Sequence, residues 1–267
     1  TWKGGNYSVT TDSISGNGAG ITHITSNEFV MSGNTWLVNN STSNRVYGAM
    51  VRNGADAANE GNIYVQGNTV NYWMTKAVLV EGTGSFTNSN LIYVKNGYGI
   101  MAQAGTGGQT LTNNGTIVVE GLGVAMDMAG NDKTSTSVSG RMINEGNIFL
   151  IANEHTATPG EGNIPLIAVR IAEGGEGEFV NTGNIFAEGQ VAIYVDDNSK
   201  GNITLKGKSH VEGLVDLNGE SNLTVSELDS AETIQLADDV NKISVDASTV
   251  TFEQGTDKAL NIKELST

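Results

Sequence analysis

Residues 113–121 read N-N-G-T-I-V-V-E-G, and variants of this unit recur as N-E-G-N-I-Y-V-Q-G at 59–67, N-S-N-L-I-Y-V-K-N at 88–96, N-E-G-N-I-F-L-I-A at 144–152 and N-T-G-N-I-F-A-E-G at 181–189. The copies begin 29, 25, 31 and 37 residues apart. Self-similarity at such a period marks stacked units, each too small to bury its own apolar face. Shorter copies, G-N-I-T-L-K-G from Gly201 and S-N-L-T-V from Ser221, tighten the period. The spacing predicts a basic coil of about 20 residues that carries loop insertions of varying length.

Two further segments accompany each copy. One follows it: A-V-L-V-E-G from Ala77, G-I-M-A-Q-A-G from Gly99, A-M-D-M-A-G from Ala125, A-V-R-I-A-E-G from Ala168, A-I-Y-V-D-D from Ala192 and L-V-D-L-N-G from Leu214. The other closes the unit before the next Asn, at Phe86, Leu111, Met142 and Phe179. Alternation with period two assigns the inward positions. On the first strand they are Ile63, Ile92, Ile117, Ile148, Ile185 and Ile203, each with the apolar residue two further on. On the second they run Val78, Ile100, Met126, Val169, Ile193 and Val215. Three short strands per unit predict an all-β fold, a single three-sided parallel β-helix, right-handed as parallel crossovers overwhelmingly are. Residues 1–225 form the helix with an irregular first coil, and 226–267 its terminal coils or cap. Asn59, Asn88, Asn113, Asn144 and Asn181 fall at one corner. They are expected to form a structural ladder of stacked amides and to tolerate left-handed backbone there, with Gly61, Gly115, Gly146 and Gly183 permitting positive φ.

Composition agrees. Of 267 residues, 35 are Gly, 2 Pro and none Cys, which suits many turns and excludes disulfides and thiolate metal sites. A formal charge of −15 opposes nucleic acid and anionic membrane surfaces, whose phosphates need clustered Lys and Arg. The longest apolar runs are far short of the ~20 residues of a membrane helix, and residues 1–10 lack the apolar stretch of a signal peptide.

The units N-x-G-x-I-x-V-x-G, each followed by a segment such as A-M-D-M-A-G, resemble the passenger domains of Gram-negative autotransporters (type V secretion), especially adhesin and self-associating passengers. The resemblance spans residues ~30–225 and implies a β-helix exported through an outer membrane by a C-terminal barrel that this chain does not contain. It implies a bacterial cell-surface or secreted location. It also implies a part in attachment, virulence, aggregation or biofilm formation, with host glycans, matrix proteins or another copy of the chain as partners.

β-Helices also include polysaccharide hydrolases and lyases, which use carboxylates at set separations. Asp127, Asp196, Asp197 and Asp216 are the candidates, with Asp127, Arg170, Tyr194 and Asp216 in one outward column of the second strand. The G-H-G and R-I-K motifs of solenoid galacturonases are absent, as is the G-D-S-G of serine-protease passengers. His23, His155 and His210 lie in no nucleophile motif, and no acidic turn matches a calcium-binding repeat. No enzyme activity and no cofactor or metal is expected; a carbohydrate-active enzyme and a toxin-like passenger are the alternatives.

Surface remains. The outward column of the first strand reads Tyr64, Tyr93, Val118, Phe149, Phe186 and Thr204, apolar where polar residues are the default, and exposed apolar stripes mark contact sites. Tyr64, Tyr93, Phe149 and Phe186 are therefore candidates for ligand binding or self-association. The mixed-charge column of Asp127, Arg170, Tyr194 and Asp216, with Asp196 beside it, suits side-by-side contact between copies. Loops 129–140, 153–163 and 172–178 enlarge consecutive units and are expected to wall a groove.

Overall fold

A computed structural model describes the chain except residues 1–6, 12–18, 25–27, 104–107, 131–137, 158–165, 219, 238–239 and 257–261; for residues 7–11 and 19–23 it describes the backbone alone. Among the described residues there are 24 strands and one 3-10 turn, Tyr72–Met74. The strands form a 14-stranded and a 10-stranded sheet. Neighbouring strands run parallel, for example with Ile92 opposite Ile117 and Leu111 opposite Met142. The fold is all-β with long parallel sheets, an arrangement compatible with a β-helix.

The larger sheet contains two rows of strands. The first row includes Thr35–Asn39, Asn62–Gln66 and Asn147–Ile151; the second includes Val46–Val51, Thr75–Glu81 and Ile167–Ala172. Strands Leu91–Gln103, Thr116–Ala129 and Asn184–Val195 run through both rows and join them. The bend in the first falls between Lys95 and Gly97, where the register shifts and Asn96 adopts φ 54°. At the equivalent bend Gly121 and Gly123 have φ 85° and 139°, and a Cβ on Gly123 would lie 1.7 Å from the Gly97 carbonyl oxygen, so only glycine fits. The 10-stranded sheet forms the third row, from Glu28–Met31 to Ile262–Ser266.

The inward columns are buried as the alternation requires. Ile63, Ile92, Ile117, Ile148 and Ile185 stack on one side, and Val78, Ile100, Met126, Val169, Ile193 and Val215 on another. Phe86, Leu111, Met142 and Phe179 stack on the third. Burial of this single continuous cluster, at roughly 25 cal/mol per Å² of apolar surface, drives the association of units that have no core of their own.

Four local expectations change. The segments at Gly201 and Ser221 belong to the third row: Ile203 lies opposite Phe179 and Leu223 opposite Ile203. The first-row strand after Phe186 is instead His210–Leu217, with Val211 opposite Ile185 and Glu212 opposite Phe186, so Thr204 leaves the apolar column. The segments Ile203-x-Leu205 and Leu223-x-Val225 have the same apolar alternation as first-row strands such as Ile148-x-Leu150, so the local pattern does not distinguish them. The corner glycines Gly61, Gly115, Gly146 and Gly183 are not among the positive-φ residues, and neither are the ladder asparagines. Close approach is what requires glycine there: a Cβ would sit 1.9–2.1 Å from a carbonyl oxygen of the preceding unit. Residues 172–178 are no projecting loop, since a turn at Glu173–Gly175 leads at once into strand Glu176–Asn181. Loops 129–140 and 153–163 fall largely outside the described residues.

The ladder forms as an internal polar column. Asn59, Asn88, Asn113, Asn144 and Asn181 are all buried. Each Nδ2 donates to the Oδ1 of the next, at 2.8, 2.8, 2.8 and 2.7 Å, and Asn181 Nδ2 ends the series on Ser209 Oγ at 2.7 Å. The series has a direction. Met31 stands opposite Asn59 on its upstream side, and among the described residues Asn59 Oδ1 has no donor.

Candidate functional site

The first-row outer face carries an aromatic column longer than the sequence pattern indicates. Trp36 lies opposite Tyr64, Tyr64 opposite Tyr93, Tyr93 opposite Val118, Val118 opposite Phe149 and Phe149 opposite Phe186. Trp36 and Phe149 are 37% and 36% exposed and neighbouring Ile151 is 47% exposed, while Tyr64, Tyr93, Val118 and Phe186 are half-buried, so the column faces solvent in part. Parallel strands in register bring like rings together at the inter-strand spacing. Trp36 stacks on Tyr64 with centroids 5.8 Å apart, and Phe149 on Phe186 at 4.8 Å, each pair within 12° of parallel. Trp36 escapes the repeat pattern because its strand, T-W-L-V-N at 35–39, lacks the Asn-x-Gly opening, although Asn34 precedes it and accepts from Asn62 Nδ2 at 2.9 Å.

The polar flank of this column is also ordered. Tyr93 donates its hydroxyl to Glu120 Oε2, and Lys95 Nζ pairs with Glu120 Oε1 at 2.8 Å. Lys95 and Tyr93 hold the Glu120 carboxyl below its usual range; burial and the Glu120 contact push the Tyr93 hydroxyl up to about 12. A cleft of about 270 Å³ lies above this pair, bounded by Trp36, Tyr64, Gln66, Tyr93 and Lys95.

The second-row outer face differs from the solvated mixed-charge surface expected of it. Asp127 and Arg170 are opposite each other, as the pattern places them, but they are 0% and 6% exposed. They form a bidentate pair with both contacts at 2.8 Å, and Arg170 lies 5.5 Å from the Tyr98 ring. Burial opposes the charge on Arg170, but Asp127 and Tyr98 hold its pKa well above the ordinary value. Around the pair is a second apolar cluster that includes Met50, Leu79, Met101, Val124 and Ile167. The 3-10 turn packs there too: Tyr72 stacks on Tyr98 at 6.3 Å, and the preceding segment is tied by Asn68 Nδ2 and Asn71 Nδ2 to the carbonyls of Ser41 and Thr42. Lys76, which the sequence reading does not single out, sits between Tyr47 and Tyr98 in register, its Nζ 5.7 and 5.3 Å from their ring centres and donating to the Trp73 carbonyl at 2.5 Å. Burial pushes its pKa down to about 8. Tyr47, Lys76 and Tyr98 stand two residues ahead of the inward Ala49, Val78 and Ile100, where strict alternation points them inward; the structure breaks the alternation at Ala77, which joins the inner core, and Tyr47 and Tyr98 join the outer cluster instead.

The other candidate carboxylates make local contacts. Asp196 accepts from the backbone N–H groups of Glu173 and Asn198 at 2.6 and 3.1 Å, and Asp216 accepts from Asn218 Nδ2 at 3.0 Å. Tyr194, opposite Arg170 and Asp216, packs partly buried against the second apolar cluster. Among the described residues no group of three or more His, Asp or Glu side chains could hold a metal ion, and no helix is long and apolar enough to cross a membrane. In comparisons with protein-family models, curated proteins and solved structures, nothing matches this chain.

Proposed function

We propose that this chain is a non-enzymatic adhesin, the passenger part of an autotransporter displayed on a bacterial surface or secreted. Its strands wind as one right-handed three-sided β-helix, with host glycans, matrix proteins or a second copy held along the first-row face. The observation that carries the reading is the partly solvent-facing column of Trp36, Tyr64, Tyr93, Phe149 and Phe186 on a rigid parallel sheet. Exposed apolar stripes of this kind on an otherwise acidic surface favour contact through stacking and desolvation rather than charge. An elongated scaffold repeats weak contacts along its length, and repetition raises avidity without tight individual sites. Burial of Asp127 and Arg170 takes these residues out of any contact surface and makes them part of the packing beneath it.

Beads coated with the protein test this reading. Wild-type beads should attach to glycan- or matrix-coated surfaces or clump with one another. The variant carrying Tyr64→Ser, Tyr93→Ser, Phe149→Ser and Phe186→Ser should lose most of that attachment while keeping its β-sheet circular dichroism. Undiminished attachment by a folded variant would remove the aromatic face from the account.

A further inference from the structure

Along the aromatic column the rings pair off unevenly. Trp36 stacks on Tyr64 and Phe149 on Phe186, but among the described residues no ring contact joins Tyr64 to Tyr93, although the two are opposite in register. The reason lies one unit further along. The Tyr93 hydroxyl donates to Glu120 Oε2, whose other oxygen is held by Lys95 at 2.8 Å, while Tyr64 is engaged by Trp36 on the opposite side. The cleft of about 270 Å³ spans this stretch of the column, bordered by the stacked Trp36 and Tyr64 as well as by Tyr93.

We infer that this cleft is a subsite for one neutral hexopyranose unit of a polysaccharide. The inference rests on the first-row face being the binding face and names the class of ligand it takes. The volume is near the lower end of small-molecule pockets, enough for a single ring with its hydroxyls. Aromatic residues border it, and these suit the C–H faces of a pyranose. Gln66 is exposed at its edge with no hydrogen-bond partner among the described residues, so its amide offers both a donor and an acceptor to sugar hydroxyls. Lys95 supplies further N–H donors from the same edge. An aromatic side chain from a protein partner would leave these groups without hydrogen bonds, which is costly once they are desolvated.

Charge selects the neutral sugar. The ammonium of Lys95 is compensated by Glu120, which Lys95 and Tyr93 keep ionised, so the cleft presents no net positive charge to a uronate or sulfate. The formal charge of −15 on the chain adds long-range repulsion for polyanions.

Titration of the intact chain with a neutral hexose trisaccharide panel and, separately, an oligouronate tests the assignment. A neutral trisaccharide should bind in preference to the oligouronate, and Tyr64→Ala should weaken that binding at least about tenfold. Glu120→Gln, which releases Lys95 from its counter-charge, should raise oligouronate affinity several-fold. Arg141→Ala, on the third-row strand Ser139–Asn144 and away from the cleft, should leave trisaccharide affinity unchanged. The inference is overturned if no neutral trisaccharide binds, if the wild type prefers the oligouronate, or if folded Tyr64→Ala binds as well as wild type. Bead attachment that needs the aromatic column, together with no binding of any neutral trisaccharide, would overturn the subsite while leaving the aromatic face as the adhesive surface.

Discussion

Lys76 offers a quantitative test of the covered second-row face. Two effects compete there. The Tyr47 and Tyr98 rings and the Trp73 carbonyl favour the ammonium, whereas burial at 4% exposure favours the neutral amine. Burial wins, with the pKa lowered from 10.5 to about 8. Because the folded value lies below the unfolded one, the unfolded chain binds more protons between these limits, and stability rises with pH across that window. From about pH 7 to about pH 9.5 the gain is about 2 kcal/mol, since each tenfold change in a protonation ratio is worth about 1.36 kcal/mol. Tyrosines whose pKa burial raises, Tyr98 among them, act in the opposite sense, but their effect gathers only near and above the unfolded tyrosine value of 10.0. At about pH 9.5 each removes only about 0.2 kcal/mol. Lys76→Met keeps the aliphatic stem, removes the titration and leaves the tyrosines in place. Urea unfolding followed by tryptophan fluorescence at the two pH values should therefore show wild type gaining about 2 kcal/mol relative to Lys76→Met. Wild-type stability that stays constant or falls relative to Lys76→Met as pH rises would refute the argument and mean that the rings hold the lysine charged.

Two further substitutions address the interior. Asn113→Ala removes the donor to Asn144 Oδ1 and the acceptor for Asn88 Nδ2, and should cost about 2–4 kcal/mol in urea unfolding. Asn59→Ala should cost less, because Asn59 Oδ1 already lacks a partner among the described residues. Asp127→Asn leaves Arg170 buried without its counter-charge and should lower stability by about 3–5 kcal/mol, whereas Asp127→Leu combined with Arg170→Met should fall within about 1–2 kcal/mol of wild type. Equal losses in the single and double variants, measured by thermal melting, would show that the pair itself is net stabilising.

The all-β class, the inward columns and the asparagine ladder were legible because each depends on local alternation and on the spacing of identical units. A residue at a given phase of a strand faces the same way in every copy, so Ile117 and Val119 could be placed without coordinates. Assignment to a row was not local. G-N-I-T-L at 201–205 has the same alternation as a first-row strand, and only pairing of Ile203 with Phe179 decides that it lies in the third row. The corner glycines were identified, but for a different reason: their backbones are ordinary, and the approach of a neighbouring carbonyl is what excludes a side chain.

The sequence by itself determined the facing of the repeated columns, since period-two alternation is a property of the chain, but not of Lys76 and Tyr98, which stand in the inward phase and lie on the outer face. Tertiary structure decided which outward faces meet water. On the first row Trp36 and Phe149 remain exposed and leave a cleft beside Tyr93, while on the second row Asp127, Arg170 and Lys76 lie buried. Burial of an outward face depends on segments distant in sequence, such as the turn whose Tyr72 stacks on Tyr98, and no pattern within a strand encodes that contact.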